Sequence, residues 1–171
     1  VQNATGGGLT VKIVVMSDTH LRAVTKPFAD LCERYCSKAD LVIHLGDMVS
    51  PLILDFLSRY RLEAVAGNMD GPVIHGQLPV KKTVRLGGYR LGLIHGWGSG
   101  ERLRDHLRRE FTDVDAVLFG HTHQGLCRQE NGTLWFNPGS VTLARGHSPC
   151  SIGLLHVGTA LQGEILPVEE A

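Results

Sequence analysis

Asp18 and His20, Asp47, Asn68 and Asp70, His95, and His121 with His123 recur down the chain, each group following an apolar run. Carboxylate, carboxamide and imidazole groups without a thiolate make an oxygen and nitrogen donor set. Such a set suits Mn²⁺, Fe, Ni²⁺ or Zn²⁺ rather than a sulfur-liganded site. Taken singly, each fragment is an ordinary turn, since Asp and Asn bond nearby backbone and Gly-Asp and Gly-Asn are common turn dipeptides. Two imidazoles at 121 and 123, two apart on an extended segment, serve packing poorly. Independent turns do not account for so many such fragments, each at the end of an apolar run.

Bringing these residues together requires elements that end at one rim. The runs VKIVVMS, DLVIHLG and LEAVAGN alternate with helical patterns, as in a sheet whose strands are joined by helices. One helix is expected from Lys26 to Lys38, with Phe28, Leu31, Cys32 and Tyr35 on its apolar side. A second is announced by Ser50 as N-cap and Pro51 at the first helical position. A third follows Ser99, with Leu103, Leu107 and Phe111 in line. Hairpins are expected at KKTVRL-GG-YRLGLIH and around Asn131-Gly132, DAVLFG reads as a buried strand, and CSIGLLHV and LQGEILPV supply a last pair. The result is a two-sheet sandwich with helices outside, parallel in its first half and antiparallel later. In open α/β sheets ligands bind beyond the carboxyl ends of the strands, where the polar residues above stand.

Composition narrows the function classes. The 171 residues, 43% hydrophobic, suit one buried core. Seventeen Lys plus Arg balance 17 Asp plus Glu, so no global charge holds the chain on nucleic acid or an anionic membrane. No apolar stretch approaches the ~20 residues of a membrane helix. Cys32, Cys36, Cys127 and Cys150 form no C-x-x-C, and no signal-peptide pattern precedes them, which fits a cytoplasmic protein. Cys32 and Cys36 are expected to pack as small apolar groups. Residues 1–10, with three successive glycines, read as a flexible arm or a remnant of expression.

In order and approximate spacing, D-T-H at 18–20, G-D at 46–47, G-N-x-D at 67–70, His95-Gly96 and G-H-T-H at 120–123 resemble the calcineurin-like metallophosphoesterases. The closest resemblance is to the short, cap-less members, which include the retromer subunit built on this fold, and it spans about residues 11 to 166. It implies an α/β protein: a four-layer α/β/β/α sandwich of two mixed sheets flanked by helices, one domain over 11–171. It also implies two divalent ions, with Mn²⁺ placed first and Ni²⁺, Fe or Zn²⁺ as alternatives. Asp18, His20 and His123 would hold one ion and Asn68, His95 and His121 the other, with Asp47 bridging. Asp70 matches no metal position and is expected to orient an imidazole or a water. Two ions ~3.5–4 Å apart can share a water, lower its pKa towards ~7 and stabilise both oxygens of an in-line displacement at phosphorus.

One departure bears on substrate. Many members carry a histidine after G-N that is thought to protonate the leaving group, and Met69 stands there in this chain. Loss of a general acid typically costs ~10²–10⁴-fold for poor leaving groups. A small phosphodiester with an acidic leaving oxygen is therefore the expected substrate, rather than an alkyl monoester. His75 could supply the missing acid, and Arg22 and Arg145 are candidate phosphate contacts, because a guanidinium fork matches phosphate oxygens. Loops 71–79 and 141–149 would read the substrate. The alternatives are a protein-binding scaffold of the same fold, a phosphomonoesterase and a nuclease. A metallo-β-lactamase reading of H-x-H fails because Gln124, Gly125 and Leu126 follow His123. An exposed sheet edge could pair two subunits.

Overall fold

The computed structural model describes residues 10–171. The expected arm over 1–10 lies, apart from Thr10, outside the described residues. The chain runs β1 (Val11–Met16), α1 (Lys26–Tyr35), a 3₁₀ turn at Cys36–Lys38, β2 (Leu41–His44), α2 (Pro51–Leu57), β3 (Leu62–Ala64) and α3 (Pro72–Gln77). It continues through β4 (Lys81–Leu86), β5 (Tyr89–Ile94), α4 (Gly100–Glu110), β6 (Ala116–Phe119), β7 (Gly125–Glu130), β8 (Thr133–Pro138), β9 (Ser151–Val157) and β10 (Leu161–Pro167). One sheet has the order β10-β9-β1-β2-β3 and the other β4-β5-β6-β8-β7.

Side-chain alternation along the strands makes the layers. In β1, Ile13 and Val15 face the second sheet, while Val14 and Met16 face the helices α1 and α2. In β6, Ala116 and Leu118 join the inter-sheet core, and Val117 and Phe119 pack with Leu103 and Leu107 of α4. Three apolar seams therefore separate four layers: α1 with α2, the first sheet, the second sheet, and α4. A strand covered on both faces must be apolar at every position, which is why IVVM at 13–16 and AVLF at 116–119 carry unbroken runs.

Local signals set the element ends. The Ser50 hydroxyl accepts from Leu52 N–H and Thr25 from Phe28 N–H, each capping a helix that opens with proline. Positive φ at Gly87-Gly88 and at Asn131-Gly132 closes the two hairpins. Three expectations change. β5, β6 and β8 pair in parallel, so the later half of the chain is not antiparallel throughout, and both sheets are mixed as the resemblance implies. α4 supplies the crossover from β5 to β6, and β7 lies outside β8 at the sheet edge. Residues 71–79, expected as a loop, contain α3, begun by Pro72 and anchored by buried Ile74. Ser99 makes no side-chain cap, and Phe111 falls just beyond the end of α4. Cys32 and Cys36 are buried, as their apolar reading requires. No helix among the described residues is long and apolar enough to cross a membrane.

Candidate metal centre

Every polar group singled out above stands just past the carboxyl end of a strand. Asp18 and His20 follow β1, Asp47 follows β2, Asn68 follows β3, His95 follows β5, and His121 and His123 follow β6. The loops are stitched together by backbone bonds: Asp18 N–H to Gly46 O (3.0 Å), His20 N–H to Asp47 O (3.0 Å) and Gly120 N–H to His95 O (3.1 Å). Asp18, His20, Asp47, His121 and His123 have φ of 54°, 46°, 58°, 70° and 59°. Left-handed backbone at a non-glycine residue costs free energy, and a concentration of it in one place marks a site whose geometry the surroundings impose. Gly46, at φ 93°, leaves no room for a side chain: a Cβ would sit 2.6 Å from Gly67 N and 2.9 Å from His95 Nδ1.

The side chains converge on one cluster. His123 Nε2 lies 3.1 Å from Asp18 Oδ1 and 3.3 Å from His20 Nε2, and His20 Nε2 is 3.7 Å from both Asp18 Oδ1 and Asp47 Oδ2. His95 Nε2 is 3.3 Å from Asp47 Oδ2 and 4.0 Å from Asp18 Oδ1. The ring of His121 meets that of His95 edge-on at 5.3 Å, and its Nδ1 is 3.0 Å from Asn68 Oδ1. Asp18, His20 and His123 could grip one ion, and Asp18, Asp47 and His95 lie close enough together to share another.

The outer contacts decide which atoms face inward. Asp18 Oδ2 accepts from the Ser17 hydroxyl (2.7 Å) and from His121 N–H (3.0 Å), leaving Oδ1 buried without a hydrogen-bond partner. His95 Nδ1 pairs with the Leu45 carbonyl at 2.7 Å and His123 Nδ1 with that of Leu143 at 3.3 Å. A carbonyl can only accept, so these nitrogens carry the hydrogen and each Nε2 presents a lone pair to the carboxylates. His95 Nε2 is likewise buried and unpaired. Lone pairs facing carboxylates in a dry site repel one another unless a cation lies between them, so the donor set fits divalent ions.

The electrostatics agree. Burial opposes ionisation of Asp18, yet the imidazoles of His123, His20 and His95 outweigh it and hold the carboxyl far below the usual carboxylate range. Asp47 is lowered in the same way, burial being outweighed chiefly by His95. Burial works against charging His95, and the Asp47 and Asp18 carboxylates overcome it, raising its pKa. A proton on His95 serves the same electrostatic need as a metal ion.

Asp70 differs from its expected role. Its Oδ2 accepts from Gly67 N–H (2.7 Å) and Asp47 N–H (3.0 Å), and its Oδ1 from Val49 N–H (2.8 Å). The carboxylate is thus occupied by backbone amides of the loops bearing Asp47 and Asn68, not by an imidazole. Asp47 Oδ1 in turn accepts from Met69 N–H at 2.8 Å.

His75 is exposed on α3 and borders the same cleft as Asn68 and His95. Arg145 is exposed, and its charge reaches His121, whose pKa is lowered first by burial and then by neighbouring cations. Arg22 is exposed, and no hydrogen bond or ion pair links it to the cluster among the described residues.

Sequence reasoning missed a supporting layer. His44 is fully buried: Gly46 N–H donates to its Nδ1, so Nε2 carries hydrogen and donates to Thr19 Oγ1 at 2.7 Å. The Thr142 hydroxyl donates to Thr19 O and the Ser140 hydroxyl to Asp18 O. Asn137 donates to Gly120 O at 2.8 Å, so the N-P-G-S turn ties the Asp18 loop to the His121 loop. A Ser-Asp-Thr-His string directly after β1 was the available signal for Ser17 and Thr19. The N-P-G-S turn at 137–140 was the signal for Asn137 and Ser140, and nothing local marks His44 or Thr142.

Residues 11–160 match the calcineurin-like phosphoesterase superfamily domain, and the chain belongs to that superfamily of metal-dependent phosphoester hydrolases. It is 37% identical over 169 residues to a probable metallophosphoesterase of Methanocaldococcus jannaschii, covering 95% of this chain and 84% of the relative. It is 33% identical over 101 residues to the phosphodiesterase YfcE of Escherichia coli, a match covering 56% of this chain and 53% of YfcE. Among solved structures, Vacuolar Protein Sorting 29 from Cryptosporidium parvum superposes with a TM-score of 0.71 at 21% identity, over 94% of this chain and 99% of the other. At that identity the likeness is one of fold, and it agrees with the four-layer sandwich.

Proposed function

We propose that the chain is a dinuclear metal-dependent phosphodiesterase acting on small phosphoesters. The observation that carries this reading is the inward-facing pair of buried, unpartnered atoms, Asp18 Oδ1 and His95 Nε2, in a cluster rich in carboxylate and imidazole. Asp18, His20, Asp47 and His123 would hold one ion, and Asp47, Asn68, His95 and His121 the other, with Mn²⁺ as the working metal. Two divalent ions there would polarise the phosphoryl oxygens and acidify a water for in-line attack.

The chain's own groups do the rest. Asp70 fixes the Asp47 and Asn68 loops through three backbone amides, so it positions the centre without touching substrate. The Leu45 and Leu143 carbonyls hold His95 and His123 in the ligating tautomer. Two divalent charges exceed the two carboxylates of Asp18 and Asp47, which favours an anionic guest, and Arg145 adds positive charge beside His121. Met69 cannot donate a proton, and His75 stands in the cleft where a leaving group would emerge. Diesters with acidic leaving oxygens fit such a site better than alkyl monoesters, and the name of the E. coli relative supports the diester reading. Hydrolysis of a panel of aryl diesters and monoesters with added Mn²⁺ tests this. Metal-stimulated turnover favouring diesters is expected, and a preference for monoesters would reverse the assignment.

A further inference from the structure

A cleft of about 300 Å³ opens beside the cluster, bounded by Val80, Ile94 and Trp97 and reaching Asn68 and His95. That size, at the low end for small-molecule sites, suits one ring system rather than a whole dinucleotide. Trp97 leaves 57% of its surface exposed and Val80 61%, unusual for large apolar side chains at the mouth of a polar site. The indole nonetheless packs against the ring of His106, a residue of α4 whose side chain is buried. Lys81 and Glu110, the charged groups of the cleft, neutralise each other in an ion pair. The cleft is thus apolar, aromatic on one side, without net charge from that pair, and continuous with the residues that face the metal centre.

We infer that this cleft is the subsite for a flat, uncharged aryl or nucleobase ring carried by one ester arm of the substrate, stacking on Trp97 while the phosphoryl group sits at the metal centre. The inference rests on the phosphoesterase reading and adds the substrate class. A ring stacked on an exposed indole gains from the aromatic face and from burial, whereas an alkyl arm gains only from burial. The phosphate-seeking part of the site cannot make this distinction, because its charges see only the phosphoryl oxygens.

The test uses anions that are not hydrolysed. Phenylphosphonate, methylphosphonate and inorganic phosphate are titrated calorimetrically into the Mn²⁺-loaded full chain, and the Trp97 indole N–H is followed by NMR in the chain loaded with diamagnetic Zn²⁺. Stacking of one base or ring is worth roughly 5- to 150-fold in affinity. Phenylphosphonate should bind about tenfold more tightly than methylphosphonate and shift the indole resonance. Trp97→Ala should bring the two together, and Trp97→Phe should keep most of the gap. Phosphate affinity should be the same in all three proteins. Because Trp97 is largely exposed, Trp97→Ala is expected to fold, and the Phe variant covers the case in which it does not. Equal binding of the two phosphonates by the wild type, or a gap that survives Trp97→Ala, overturns the subsite alone. Failure of all three anions to bind the metal-loaded wild type overturns the phosphoesterase reading and the subsite with it.

Discussion

His95 aims Nε2 at Oδ2 of Asp47 across 3.3 Å, with Nδ1–H committed on the far side to the Leu45 carbonyl. Two electron-rich atoms held this close in a buried site need positive charge between them, and the Asp47 carboxylate is common to the contacts with His20, His95 and Met69 N–H. Asp47→Asn keeps the shape and removes the charge. Metal-stimulated hydrolysis should fall by at least ~10²-fold, more than the 10–100-fold typical when a mere supporting contact of a metal site is lost. Steady-state kinetics across a metal titration check this, and unchanged kcat with unchanged metal requirement would count against Asp47 as a shared ligand.

Asp70 should behave differently, because its oxygens meet backbone amides and not the cluster. Asp70→Asn turns one acceptor into a donor facing N–H groups and removes a charge-assisted bond, a change worth about 2–4 kcal/mol for a buried, multiply bonded carboxylate. The free energy of unfolding, from denaturant melts, should drop by that amount. Metal affinity should weaken through the loosened Asp47 loop, while the pH profile of kcat keeps its shape. A profile that loses a limb would instead make Asp70 a proton-transfer group.

Met69 is 58% exposed and beside Asn68, so a histidine fits there without disturbing the core. Met69→His should accelerate substrates with poor leaving groups by up to ~10²-fold and aryl diesters little, as expected for a restored proton donor. Equal effects across a leaving-group series would show that the methionine does not set the preference.

His44 predicts an acid-side loss of stability distinct from that of the carboxylates. Burial is the main cause that pushes its pKa down to about 4; the charges facing it are Asp70, Asp18 and Asp47, which oppose the shift, and His95, which adds to it. The folded state therefore favours the neutral ring. Its contribution is complete above the unfolded value near 6.5 and is lost as pH falls from there through about 4. A shift of this size corresponds to roughly 3 kcal/mol. His44→Gln should be less stable at pH 7, with the difference from wild type narrowing by about that amount by pH 4. Denaturant melts at a series of pH values measure it, and a constant difference would contradict the neutral-ring account.

Much of the fold is legible because burial writes directly into residue type. IVVM at 13–16 and AVLF at 116–119 must be apolar on both faces, and Ser50-Pro51 and Asn131-Gly132 carry their own local geometry. The candidate site residues carry a related signal, each standing where an apolar run stops. Parallel pairing of β5, β6 and β8 was not legible, since a hairpin signal says nothing about the neighbour on its other side. The helix α3 has six residues and one buried anchor, Ile74, too few for a periodicity to declare itself. The part played by Asp70 depends on which N–H groups surround it in space, and Gly-Asn-x-Asp spacing does not encode those. His44 and Thr142 act on residues far from them along the chain, so only the assembled fold reveals them.

The central claim is that the seven side chains from Asp18 to His123 cage a pair of cations. An anomalous difference map from crystals grown with Mn²⁺ tests it most directly. Two peaks are predicted, one within reach of Asp18, His20 and His123 and one beside Asn68, His95 and His121, with the Asp47 carboxylate between them. A map with no peak in this cluster, or with manganese bound only elsewhere on the surface, would contradict the account.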